Sequence, residues 1–333
     1  MNRREFLRAT AASVSSVAAA KALAGEAASA KPGATIRVGM IGCDTSHAIA
    51  FTQLLEKADA AGKTGGVRVV ACYPSFSPDI KSSADRVDGY KKQLREQHGV
   101  EMVDSIDALL AGVDAVLLES VDGRRHLKEL EPVAKAQKPV FIDKPFAASL
   151  SDAKAMVRLV KEHDVPCFSC SSLRFDSAIA GFVADEAARG KIVGCDAFSP
   201  AHLERTNPGL FWYGIHGVEI LYTVMGRGCQ RVGCTSVPGA DFAVGVWSDG
   251  RIGTMRGLRD GKADYGASVV CEKVFSRVTA SGDFYARLVE QIVKFFQTGK
   301  PPFPIDETLE ICAFIDAAWR SSQVGGKEVK LDL

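Results

Sequence analysis

The chain has 333 residues, enough for two domains that each bury a core of their own. With 47% apolar residues, 24% charged residues and a net charge of +1, its composition is that of an ordinary globular protein. The near-balanced, interspersed charges exclude a nucleic-acid-binding surface and a polybasic membrane anchor.

The first 30 residues read as an export signal. Arg3-Arg4 precedes Phe6-Leu7, an Ala-rich stretch runs from Ala9 to Ala20, and Ala22-Leu23-Ala24 and Ala28-Ser29-Ala30 are small-x-small cleavage candidates. This twin-arginine pattern predicts a periplasmic or otherwise exported protein that crosses already folded. The stretch is too short and too rich in Ala and Ser for a stable spanning helix, so no membrane span is expected after its removal. An uncleaved amphipathic helix is the alternative. Nine cysteines are an odd number for an oxidising destination. Most fall in apolar strand-like runs and read as buried free thiols. Cys167-Phe168-Ser169-Cys170 has redox or zinc spacing without a second pair, so no metal is expected there.

After Thr35, apolar runs alternate with helix-like segments. Strands are predicted at 36–41, 67–71, 101–103, 115–118, 140–142 and 165–168. The helices between them are predicted at 48–61, 91–98, 105–111, 127–136 and 151–163, with Ser105 as an N-cap. Such alternation predicts a parallel, Rossmann-type sheet covered on both faces, over residues 35–150. Ligands of such sheets sit beyond the carboxyl ends of the strands. That rule singles out Gly42–His47, Tyr73–Ser77, Glu119–His126 and Asp143–Pro145. Residues 151–333 change character. Short strands near 195–201, 230–236, 242–247, 252–256 and 268–271, with a hairpin turn at Ser248–Arg251, predict a mainly antiparallel sheet in an α+β domain. Helices are predicted there at 177–188, 214–225, 285–298 and 306–322.

Gly42-Cys43-Asp44-Thr45-Ser46-His47 occupies the turn where a GxGxxG fingerprint brings bare backbone amides against a pyrophosphate. Only the first glycine is present. An aspartate about 4 Å from a phosphate charge costs about 4 kcal/mol at an effective dielectric of about 20. Asp44 could instead turn inward and cap the helix through the Ser46 or His47 amide. Tyr73 stands where an acid usually holds the ribose hydroxyls. Ser75, Ser77, Arg86 and Lys91 follow, which tips the expectation slightly from NAD towards NADP. Asp143-Lys144-Pro145 ends a buried strand, where partial desolvation suits a lysine to acid–base work. His216 opens a helix after Phe211-Trp212-Tyr213 and is a candidate base.

In order and spacing these pieces resemble the Gfo/Idh/MocA oxidoreductases, over nearly everything after residue 35. Ile36–His47 is similar to that family's first strand and turn, and Asp114-Ala115-Val116 followed by His126 to its DAV-to-His segment. Asp143-Lys144-Pro145 is similar to its EKP signature, and Arg174-Phe175 and Gly190–Gly194 to later elements. Thr298–Pro302 and Ala317–Ser322 resemble its C-terminal region. The resemblance implies an NAD(P)-dependent oxidoreductase acting on a sugar, polyol or related carbinol. It places the cofactor against Gly42, Cys43, Asp44, Thr45, Ser46, His47, Tyr73, Glu119, Ser120, His126, Asp143 and Lys144. Lys144 would hydrogen-bond the reacting oxygen and His216 would exchange its proton. Arg174, His202, Trp212 and Tyr213 are the implied substrate contacts. Many members keep an aspartate four residues before that histidine; here it is Trp212, leaving Glu204 or Glu219 to orient His216. A homo-oligomer through the later sheet is also implied.

Asp44, Tyr73 and Trp212 depart from the pattern and motivate a second reading. In it the protein is redox-silent, performing lyase or isomerase chemistry on a carbohydrate, or only binding one. A third reading gathers Asp44, His47, Glu119, Asp122, His126, His202 and His216 into a metal site, although their spacing matches no known ligand pattern.

Overall fold

The computed structural model describes residues 35–62 and 66–333. The export signal expected over residues 1–30 lies outside them. Strands β1 (Ile36–Ile41), β2 (Val67–Tyr73), β3 (Glu101–Met102), β4 (Ala115–Leu118), β5 (Val140–Ile142) and β6 (Cys167–Ser169) form one sheet. Its order is β3-β2-β1-β4-β5-β6 and every pairing is parallel. All four residues of β4 are buried, because α1 (Ser46–Ala60) and α2 (Lys81–His98) cover one face and α4 (Gly123–Lys135) and α5 (Leu150–Glu162) the other. The short α3 (Ile106–Ala111) starts at Ser105, whose hydroxyl caps the Ala108 amide. Strand order reverses between β1 and β4, which opens the crevice beyond their carboxyl ends.

The second sheet contains β7 (Ile192–Pro200), β8 (Cys229–Val237), β9 (Ala240–Trp247), β10 (Ile252–Leu258), β11 (Gly266–Cys271), β12 (Phe275–Thr279) and β13 (Val329–Lys330). Its order is β12-β11-β7-β10-β9-β8-β13, antiparallel except for β7 beside β10. Burial alternates strictly along β9, so one face packs inward and the other stays open. Of α6 (Ser177–Ala184), α7 (Glu186–Arg189) and α8 (Ile215–Met225), only α8 is buried almost all round, lying against the inner face of this sheet.

Two helices, α9 (Phe284–Thr298) and α10 (Ile305–Gln323), end the described fold before β13. Leu288, Ile292 and Phe295 of α9 join Phe51, Phe141 and Phe168 in one cluster on the first sheet. The start of α9 is thereby held beside the start of α1. All nine cysteines are buried and free.

Three local expectations change. The helix expected from Lys91 begins at Lys81, since Ser83 and Val87 are buried although their neighbours are polar. The helix expected over 177–188 breaks at Asp185, whose carboxylate caps the second segment through the Ala188 amide. Strands β12 and β13 escape a pattern reading. The first alternates exposed with half-buried residues, and the second is only two residues long.

Candidate active site

The turn after β1 is built by contact with the loop after β4. Gly42 has φ +83°, and a Cβ there would lie 2.4 Å from the Ser120 nitrogen. The glycine therefore serves this close approach. Asp44 is wholly buried; its carboxylate accepts the Val121 amide at 3.0 Å and the Ser83 hydroxyl at 2.5 Å. It turns inward, as the sequence allowed, but does not cap α1: Thr45 does that, through the His47 amide at 3.4 Å. Burial raises the Asp44 carboxyl above its ordinary value, against the lowering effect of these two donors.

The loops after β2 and β4 are tied together in the same way. Ser77 donates to Asp122 at 2.6 Å and Arg124 pairs with Asp79 at 2.8 Å. Ser75 bonds Glu129, which also accepts from Ser120 at 2.7 Å and from Arg125 at 2.9 Å. Asn207, from the other half of the molecule, reaches Asp122 at 3.1 Å. Tyr73 gives its carbonyl to the Gly42 amide at 2.9 Å and its side chain to the core. Cys43 is buried, and the ring nitrogens of His126 lie 3.1 and 2.6 Å from the carbonyls of Phe146 and Ser120. Of the residues that pointed towards NADP, Ser75 and Ser77 are consumed in these bonds and Lys91 lies 3.4 Å from Asp88.

Beyond β1 and β5 a cavity of about 400 Å³ opens between the two halves. Thr45, Ser46, His47, Lys144, His202, Trp212, Tyr213 and His216 line it, so these expected site residues do converge. Arg86, Tyr265, Phe284 and Tyr285 complete much of the wall. Lys144 follows the end of β5 and lies 6.0 Å over the Tyr213 ring; among the described residues it has no carboxylate within 4.0 Å. His216, in the first turn of α8, places Nδ1 2.7 Å from the Ser171 hydroxyl. Burial, then the charges of Lys144 and His47, push this imidazole well below its ordinary value, against Asp143.

Arg174 is not at the cavity. It is buried between Glu219 at 3.0 Å and Glu307 at 2.6 Å, with Phe303 stacked 4.2 Å from its guanidinium. Neither acid proposed to orient His216 touches it. Glu204 bonds Thr206, and Glu219 is spent on Arg174 and the Ser171 amide. Ser171 does that work, and no pattern in the sequence marks it. Behind the cavity floor His47 Nδ1 lies 2.6 Å from Asp143 and Nε2 lies 2.8 Å from the Tyr285 hydroxyl. Asp143 is held below the ordinary carboxylate range: burial alone would raise it, but His47 and Lys144 outweigh burial. Glu119 is fully buried with neither carboxylate oxygen hydrogen-bonded. Of the seven residues considered for a metal, only His47 and Glu119 come together, and their companion is Asp143.

Residues 36–170 match the Gfo/Idh/MocA oxidoreductase family, in its NAD-binding Rossmann fold. D-apiose dehydrogenase of Rhizobium rhizogenes is 36% identical over 104 residues, which is 30% of this chain and 30% of that enzyme's length. Among solved structures, myo-inositol 2-dehydrogenase of Lactobacillus plantarum superposes with a TM-score of 0.72 at 16% identity, covering 90% of this chain and 100% of that one. An Agrobacterium radiobacter oxidoreductase in complex with NAD+, L-tartaric acid and magnesium gives 0.69 at 16% identity, over 90% and 99% of the two chains. At such identities the superpositions establish the fold.

At the crevice between β1 and β4 the contacts depart from those of a glycine-rich fingerprint, while Thr45, Ser46 and His47 of the first turn face the open cavity. A pyrophosphate there needs free amides and space over the first turn. The Asp44 carboxylate turns from that first turn to the Val121 amide of the loop after β4, and Ser120 stands against Gly42. The walls for an adenosine, after β2 and β4, are bonded to each other through Ser75, Ser77, Asp122 and Glu129.

Proposed function

We propose that this protein performs acid–base chemistry on a polyhydroxylated carbonyl or carbinol compound, in a sugar- or polyol-binding cleft of Gfo/Idh/MocA type, without a bound dinucleotide. One arrangement carries the reading: Lys144 and His216 share a cavity, while Asp44 stands in place of a fingerprint glycine and the loops after β2 and β4 are bonded to each other where an adenosine would lie. The substrate class is supported by the sugar and inositol dehydrogenases among the relatives and by the aromatic wall of Trp212, Tyr213 and Phe284.

His216 is kept neutral by burial and by the Lys144 charge. With Nδ1 bonded to Ser171, its Nε2 is the atom left to take a proton from carbon beside a substrate carbonyl. Lys144, bound to no carboxylate, stabilises the negative charge that then develops on the carbonyl oxygen. Return of the proton to the former carbonyl carbon, as the α-hydroxyl proton passes to the oxyanion, isomerises the compound, whereas loss of a hydroxyl from the carbon β to the carbonyl, protonated as it leaves as water, gives an unsaturated carbonyl compound. Export by the twin-arginine route, read from Arg3-Arg4, fits a protein that must be folded before it crosses.

A second reading, NAD(P)-linked hydride transfer to or from a carbinol, is favoured by the match of residues 36–170. Release of nucleotides from denatured protein, read by mass spectrometry, together with titration of NAD+, NADH, NADP+ and NADPH, separates the two. No nucleotide and no binding are expected. A stoichiometric dinucleotide would reject the acid–base reading in favour of hydride transfer.

A further inference from the structure

His47, Glu119 and Asp143 come from three separate elements, the first turn of α1 and the ends of β4 and β5. One nitrogen or oxygen of each lies within 4.8 Å of the others. All three are buried, yet Glu119 uses neither oxygen in a hydrogen bond. Buried carboxylates are almost always bonded, because stripping water from one without replacement costs several kcal/mol. Lys144, next in the chain to Asp143, pairs with neither acid. Asp143 has the His47 ring as its partner, so of the converging groups it is Glu119 that is left without one.

We propose that His47, Glu119 and Asp143 form a binding site for one divalent cation of the first transition row. Two carboxylates and a neutral imidazole balance a +2 charge, and one nitrogen with two oxygens suits manganese, iron, cobalt or zinc better than calcium or magnesium. The partner on the far side of the ring is already placed. The Tyr285 hydroxyl lies 2.8 Å from His47 Nε2; with a cation on Nδ1 in place of the proton now shared with Asp143, Nε2 would carry the ring proton and donate it to Tyr285, the arrangement that orients metal-bound histidines. Nδ1 now stands 2.6 Å from Asp143. Ligand bonds of about 2.0–2.2 Å require the two to part by a few tenths of an ångström. Three protein ligands leave coordination positions open, and His47 and Lys144 both line the cavity. The site does not depend on the acid–base reading, since metal binding is measured without substrate or nucleotide.

The test uses tag-free full-length protein. Metal content of the purified protein is measured by plasma mass spectrometry, then the chelator-treated protein is titrated with Co2+ and followed by visible absorption. One equivalent per chain is expected, with d–d bands that Zn2+ abolishes. Glu119→Gln should weaken Co2+ binding by more than tenfold, and Tyr285→Phe by about ten- to a hundredfold with the bands retained. Featureless spectra at millimolar Co2+ would overturn the site, as would Glu119→Gln and His47→Gln proteins that are folded by circular dichroism and bind Co2+ like the parent.

Discussion

At Gly42 the backbone takes φ +83° and the next loop touches the α-carbon. Gly42→Ala therefore combines left-handed strain with a clash against the Ser120 backbone, and a loss of about 1–3 kcal/mol or more in urea unfolding is expected. Asp44→Ala leaves the Val121 amide and the Ser83 hydroxyl buried without an acceptor. It should cost about 1–3 kcal/mol, and nucleotide binding should stay undetectable, because the Ser77–Asp122 and Ser75–Glu129 ties remain. His216 makes a pH prediction. Its folded value lies well below the ordinary 6.5, so above about 6.5 both folded and unfolded states carry it neutral. As pH falls below 6.5 the unfolded chain takes up a proton that the folded protein resists, and stability declines towards the folded value. NMR titration of the imidazole, assigned with His216→Gln, should find it still neutral at pH 6, and the variant should lose less stability on the acid side. Lys144 and His216 were legible as residues because each sits in a marked local pattern. Ser171 and Tyr285 were not, since a serine after a short strand and a tyrosine 238 positions from His47 acquire meaning only through the fold.

Elements were legible where burial is uniform or strictly periodic. Strand β4 and helix α8 fall in this class, and so does the hairpin between β9 and β10. Helix α2 was half missed because its covered face is small. The loops after β2 and β4 defeated pattern reading for another reason: their serines and acids are ordinary loop residues until one loop is laid against the other. The same holds for the link between α8, α10 and the 3-10 turn Ser172–Phe175, where Arg174 is clamped by Glu219 and Glu307. Removing Glu219 leaves Arg174 with Glu307 alone and the buried Ser171 amide without an acceptor, so Glu219→Ala should destabilise by about 1–3 kcal/mol. Glu219→Gln, which keeps an acceptor for the Ser171 amide, should cost less. If thermal unfolding ranked the two equally, the lost acceptor would not be what destabilises the alanine variant.

At the scale of the molecule, the two-sheet plan was legible in the sequence, whereas the later sheet as an oligomer surface came only from the family resemblance and not from a residue pattern. The outer face of the second sheet is one such surface. Ile252, Val270 and Phe275 lie in one cross-strand row through Gly194, at 54%, 38% and 71% exposure. Further along the same face, Arg256 stacks over Phe242 at 4.5 Å and Arg277 over Phe198 at 5.3 Å. Guanidinium groups laid on aromatic rings beside bare apolar side chains are the mixture found in protein interfaces, where Arg and aromatic residues concentrate. A flat sheet face is also self-complementary about a twofold axis, so a second copy is the expected occupant. Light scattering on the eluted protein should give twice the chain mass at micromolar concentration. Phe275→Glu, which places a charge at the edge-strand end of the apolar row, should shift the protein towards monomer without lowering its unfolding temperature by more than a few degrees, because the ring is largely exposed. A parent that runs as a monomer, or a Phe275→Glu dimer as tight as the parent, would mean that this face meets only solvent.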